Sequence, residues 1–188
     1  MNIGARSFLF KYNHIPLRRK RMKVELRPVP YVQKGLLSNL YQFYHYEFSP
    51  FTEEDMNEVG RFAANIDYFW EGDHRWNPFF IMLSGKIAGF AVVLFENLDT
   101  DPDPTHVIYD FMVLPKYRRT GVGSAAAKKA LALFKADWAV AQMEKNTPAI
   151  SFWRKVIGEF TGDAFKETYR EDIKKFIQRF STKSQTSA

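Results

Sequence analysis

A mixed β-sheet with helices on both faces is the fold class this sequence predicts. Three observations carry it. Two apolar runs at 79–96 flank Ser84-Gly85-Lys86, a hairpin signal. "HVIYDFMVL" (106–114) is mostly apolar, as a central strand would be. From residue 23 onward, the order reads strand, two helices, hairpin, strand, helix, strand, helix, strands.

"KVELRPV" (23–29) alternates Val24 and Leu26 and is stopped by Pro28 and Pro30, a short strand. In "QKGLLSNLYQFYHYEF", Leu36, Leu37, Leu40, Tyr41, Tyr44 and Phe48 recur at helical spacing. Ser49-Pro50 ends that helix, because the residue before proline avoids the helical region. "TEEDMNEVGRF" offers Thr52 as an N-cap with acids behind it, predicting a second short helix. "NLDTDPDPT" is a loop. Gly121–Ala136 reads as an alanine-rich helix with Val122, Ala126, Ala130 and Phe134 on one face, and "WAVAQ" (138–142) as a strand. Thr147-Pro148 predicts a helix start with Thr147 as cap. Its stripe is Ala149, Phe152, Trp153 and Val156, and Gly158 stops it. "EFTGDAFKETY" and "KKFIQRFS" read as two closing strands.

The 188 residues suit one domain with a sizeable core. There is no cysteine, which excludes disulfides, thiol nucleophiles and thiolate metal sites. No metal site is expected. The formal charge of +6 is uneven: residues 1–23 hold seven Lys or Arg and no acid, and the rest holds 20 against 21 acids. The expected organisation is a basic, disordered extension at 1–21, a domain at 22–181 and a disordered tail at 182–188. The extension has no apolar run long enough for a membrane span, so a cytoplasmic protein without membrane contact is expected. Its arginines lie outside the fold, so nucleic acid is not the partner this charge pattern points to. Asp99, Asp101, Asp103 and Asp110 imitate calcium-loop spacing, but Pro104 stands where glycine belongs and strands flank the segment.

The chemistry-bearing stretch is "VLPKYRRTGVGSAAAKKAL" (113–131). A strand runs into Lys116, Arg118 and Arg119, then two glycines, then a helix. Amides in the first helical turn lack intrahelical partners, and with the helix dipole they form an anion site. Glycine lets a phosphate approach them. The motif suits a diphosphate, yet neither the dinucleotide fingerprint nor the triphosphate loop fits it.

Arg118-Arg119-Thr120-Gly121-Val122-Gly123 resembles the pyrophosphate-binding pattern of the GNAT acetyltransferases, [R/Q]-x-x-G-x-[G/A]. Downstream, "NTPAISFW" places Asn146, Ala149 and Phe152 in register with that family's N-x-x-A-x-x-F-Y. The resemblance covers roughly residues 23–180 and implies a mostly antiparallel central sheet of six to seven strands. It implies acetyl-CoA as cosubstrate, a small amine or peptide as acceptor, and dimers among relatives. Phe111, Met112 and Val113 would pair with the pantetheine arm. Arg118 through Ser124 (Arg118, Arg119, Thr120, Gly121, Val122, Gly123 and Ser124) would hold the pyrophosphate. Asn146 would bond the pantetheine, and Trp153 would stand beside the cofactor.

Two departures matter. Where many members carry a tyrosine acid, this chain has Trp153, which is no proton donor to a thiolate. Where some carry a strand glutamate, it has Ala141. Asp110, a carboxylate in an apolar strand, is the candidate base; the alternative is a structural partner for an arginine. Tyr41, Tyr44 and Glu47 are the candidate acceptor pocket, with His45, Tyr68, Trp70 and Trp76 as further candidates. Two functions follow: an N-acetyltransferase, or a non-catalytic acyl-CoA sensor on the same scaffold.

Overall fold

The computed structural model describes residues 23–72, 74–97 and 105–183. The predicted extension, the tail from 184 and the aspartates 99, 101 and 103 lie outside the described residues.

Seven strands form one sheet: β1 (Val24–Pro28), β2 (Trp76–Leu83), β3 (Lys86–Asn97), β4 (Thr105–Val113), β5 (Asp137–Met143), β6 (Lys166–Arg170) and β7 (Lys175–Ser181). Their spatial order is β1-β2-β3-β4-β5-β7-β6, and every pairing is antiparallel except β4 with β5. Among the described residues three α-helices complete the fold: α1 (Lys34–Phe48), α2 (Val122–Leu131) and α3 (Thr147–Thr161). The expected α+β sheet, mostly antiparallel and helix-covered, is the observed one.

The sheet divides the core. Helix α1 lays Leu37, Leu40 and Tyr41 on Phe80, Phe90, Val92 and Met112. On the opposite face, α2 and α3 bury Ala127, Leu131, Trp153 and Ile157 against Val93, Ile108, Trp138 and Val140. Alternation along β4 follows, with Met112 facing α1 and Phe111 and Val113 facing the helix pair.

Several elements differ from the sequence expectation. No helix forms after Thr52. Its hydroxyl turns back to the Phe48 carbonyl (3.5 Å), while the Asn57 side chain accepts from Val59 and Arg61 N–H. Of the segment's apolar residues Met56 and Val59 are exposed and Phe62 is buried, its backbone held by the Gln42 side chain (2.9 and 3.2 Å), so a helix there has one anchor rather than a stripe to bury. Helix α2 ends five residues early, and Phe134 folds instead onto Phe95 (4.2 Å between ring centres). Asn146, not Thr147, caps α3, its Oδ1 accepting from Ala149 N–H at 3.2 Å. The helix also passes through Gly158 and stops at Gly162, which takes the left-handed conformation (φ 63°). A Cβ on Gly158 would lie 2.6 Å from the Asp163 carboxylate, so this glycine serves packing. Finally, "EFTGDAF" closes α3 and turns, leaving β6 to begin at Lys166.

No helix among the described residues is long and apolar enough to cross a membrane.

Candidate active site

Strand β4 has two different neighbours. Against β3 it is registered up to its end, through Val92↔Asp110, Ala91↔Phe111, Phe90↔Met112 and Gly89↔Val113. Against β5 only His106↔Trp138 and Val107↔Ala139 pair. Beyond Val107 the strands part, and the backbone of Ile108–Val113 that points toward β5 has no strand partner there. Gly89 holds this geometry from behind: a Cβ would stand 2.0 Å from the Met112 carbonyl oxygen. The register also shifts between Asp110 and Ile108, so Tyr109 is bulged out at the point of separation.

At the end of β4 the chain turns through Pro115–Tyr117, and the Thr120 hydroxyl bonds the Tyr117 carbonyl (2.7 Å). Arg119 (φ 58°) and Gly121 (φ 90°) are left-handed, a pattern that gathers backbone amides into a concavity. The first bond of α2 runs from Ala125 N–H to the Gly121 carbonyl at 3.0 Å. The amides of Val122, Gly123 and Ser124 lie ahead of it, and no side chain caps them. Val122 is fully buried, so it offers only its backbone. A Cβ on Gly123 would meet Phe152 at 3.3 Å and Val113 at 3.5 Å, which seats the helix start on β4 and α3. The head of α2 and the free flank of β4 are therefore contiguous.

The cations separate into two roles. Arg118 Nε donates to the Val113 carbonyl (2.7 Å), and its other arm pairs with Glu47 on α1. Its guanidinium thus clamps α1 to the end of β4, and both Arg118 and Glu47 are occupied with each other. Lys116 and Arg119 are exposed.

On the α1 side, Asp110 meets no arginine among the described residues. Tyr41 donates to Oδ2 at 2.6 Å and Tyr44 to Oδ1 at 2.8 Å. Burial pushes the Asp110 carboxyl above its ordinary 3.8, while the two tyrosine bonds and His45 pull it back. Burial, the Asp110 charge and these hydrogen bonds hold both tyrosines well above their ordinary range, so they remain donors. Around them, Tyr68 and Tyr109 both pack edge-on against Trp76 (4.9 and 4.8 Å). Burial and a bond with Tyr109 raise the Tyr68 hydroxyl. His45 Nδ1 lies 2.7 Å from Glu54. Trp70 belongs to the scaffold, its indole N–H bonding the Val29 carbonyl at 3.0 Å.

On the α3 side, Phe111, Phe152 and Trp153 form an aromatic floor, with Trp153 edge-on to Phe111 at 5.2 Å and buried. Asn146 is half-buried at the end of β5, one end of its amide committed to the helix cap. Ala141 is exposed on β5. Tyr109 and the His45–Glu54 pair escaped the sequence reading, because a bulge and a 52–66 coil cannot be read from spacing.

The model of the acetyltransferase (GNAT) family matches residues 37–158. The chain belongs to the GNAT acetyltransferase family. Solved structures share the fold of this GNAT protein at low identity. An acetyltransferase from Thermus thermophilus is 14% identical with a TM-score of 0.61, covering 85% of this chain and 97% of its own. The ribosomal-protein-S18-alanine N-acetyltransferase from Escherichia coli is 16% identical (TM-score 0.54; 87% and 97% covered). FeeM, an N-acyl amino acid synthase from uncultured soil microbes, is 8% identical (TM-score 0.50; 87% and 93%). A search of curated proteins gives no match.

Proposed function

We propose that this GNAT protein transfers the acetyl group of acetyl-CoA to a primary amine, with Asp110 as the base. One observation carries the reading: the parted flank of β4 continues into the uncapped amides of α2, with a half-buried carboxylate directly across the strand. The amides of Arg119–Ser124 receive the pyrophosphate, which the helix dipole favours. Phe111–Val113 pair with the pantetheine arm, and the Asn146 amide nitrogen reaches it from β5.

The chemistry then follows from Asp110. An alkyl ammonium cannot attack until it loses a proton. The raised carboxylate takes that proton, the Tyr41 and Tyr44 hydroxyls fixing its orientation. The nitrogen lone pair bonds the thioester carbonyl carbon and the C–S bond breaks. The second nitrogen proton leaves with CoA, which departs as the thiol. Trp76, Tyr68 and Tyr109 offer ring faces to the incoming cation.

The test is release of CoA thiol from acetyl-CoA across a panel of primary amines. Release above the buffer rate is expected for at least one amine. The second reading, an acyl-CoA sensor, rests on Trp153 lying in the core and on Ala141, which leave no side-chain acid for the thiolate at those positions. Saturable CoA binding with no amine-dependent release would favour it.

A further inference from the structure

The β6–β7 hairpin carries a charge arrangement that folding does not explain. In register, Lys166 stands opposite Arg179 and Arg170 opposite Lys175. Like charges directly across a strand pair are destabilising, yet here two such pairs share one face. Asp172 answers Arg170 with two bonds, at 2.8 and 2.6 Å. Lys166, Lys175 and Arg179 have no ion pair among the described residues. The other face of the same hairpin is balanced, with Glu167 bonded to Arg154 and Gln178, and Tyr169 packed on Phe176.

The unbalanced face looks the same way as Asp110. Ala139 lies beside Val107 on β4 and Arg179 on β7; Ala141 pairs with Ile177, and Met143 with Lys175. Helix α1 packs over β2–β4, and α2 and α3 lie behind the sheet. Among the described residues, no helix covers β5, β7 and β6 on this side. The floor is made of short side chains (Ala139, Ala141, Thr168) and Ile177, with cations along it.

We infer that this face docks an acidic peptide segment whose terminal amine enters the Asp110 pocket, which defines the acceptor class of the proposed transferase and rests on that reading. Charge selects the occupant. The chain's own residues 1–23 are cationic and would be repelled. Lys175 and Arg179 are four residues apart, about 13 Å along a strand, a span an extended peptide matches in the same four residues. Single-stranded nucleic acid stacks its bases on aromatic rings, and the hairpin's aromatics, Tyr169 and Phe176, are on the opposite face.

The test uses two synthetic heptapeptides with a free amino terminus, identical except for Glu or Gln at positions 3, 5 and 7. By fluorescence anisotropy, the full chain should bind the Glu peptide at least tenfold tighter at low salt. The K166Q/K175Q/R179Q variant should lose that preference, bind acetyl-CoA with unchanged Kd, and melt no lower than wild type because its like-charge pairs are gone. CoA release should rank the peptides the same way. Equal binding of both peptides, a preference kept by the triple variant, or tighter binding of an oligonucleotide of equal charge would each overturn the inference. Failure of the transferase reading is distinguishable. In that case no peptide drives CoA release, while the anisotropy result stands by itself.

Discussion

Asp110 is held by two hydroxyls from one helix and opposed by burial, and these influences make separable predictions. Its folded pKa is raised, so the stability it contributes is present below its ordinary value near 3.8 and lost as pH rises through the folded value. Asp110→Asn removes an ionised, half-buried group at neutral pH, and its amide can still bond both tyrosines. We expect kcat/KM to fall about 100- to 10,000-fold, as for a lost base, while Tm at pH 7 is unchanged or higher. A loss of Tm with activity kept would make the residue structural. Tyr44→Phe removes a bond that lowers the Asp110 pKa. The acid limb of the kcat/KM profile should therefore move to higher pH, which a pH–rate series reads directly.

At the scale of elements, the glycines and Arg118 set the site. Gly89→Ala puts a methyl 2.0 Å from a backbone oxygen of β4, and neither strand of a central pair can yield cheaply. A destabilisation of roughly 1–3 kcal/mol is expected, as for other overpacked positions, measurable by urea unfolding. Arg118→Ala frees α1 from β4 and leaves Glu47 half-buried without its partner. The elements legible in the sequence were those with a strong period or a turn signal: the β2–β3 hairpin, α1, the Gly121 turn and α3. The 52–62 segment misled because its cap and acids resemble a helix start, whereas Met56 and Val59 are exposed and leave Phe62 as a lone anchor. Gly158 and Gly162 exchanged roles because spacing alone does not distinguish a packing glycine from a left-handed one. Of the candidate site, the uncapped α2 amides and the position of Asp110 in β4 were legible. The tyrosine partners were visible only as a helical stripe, and the Arg118–Glu47 clamp spans 71 residues, beyond any local pattern.

Across the whole molecule, one buried titratable group sits far from this chemistry. His106 is packed among Phe95, Phe134 and Trp138, its Nδ1 accepting from Glu96 N–H at 3.4 Å. Burial lowers its pKa from 6.5. The unfolded chain then binds the proton more readily, so stability present above pH 6.5 is lost as pH falls through and below that value. Tm should drop between about pH 7 and pH 5, and His106→Phe should flatten that slope; an identical slope in the variant would contradict this.

The proposed grip of the α2 head and the parted β4 on acyl-CoA is tested most directly by calorimetric titration of acetyl-CoA into wild type and Gly121→Val. A side chain at φ 90° forces the loop out of its amide-presenting shape. Saturable one-to-one binding by wild type and at least tenfold weaker binding by the variant are expected. No binding by wild type, or equal binding by both, would contradict it.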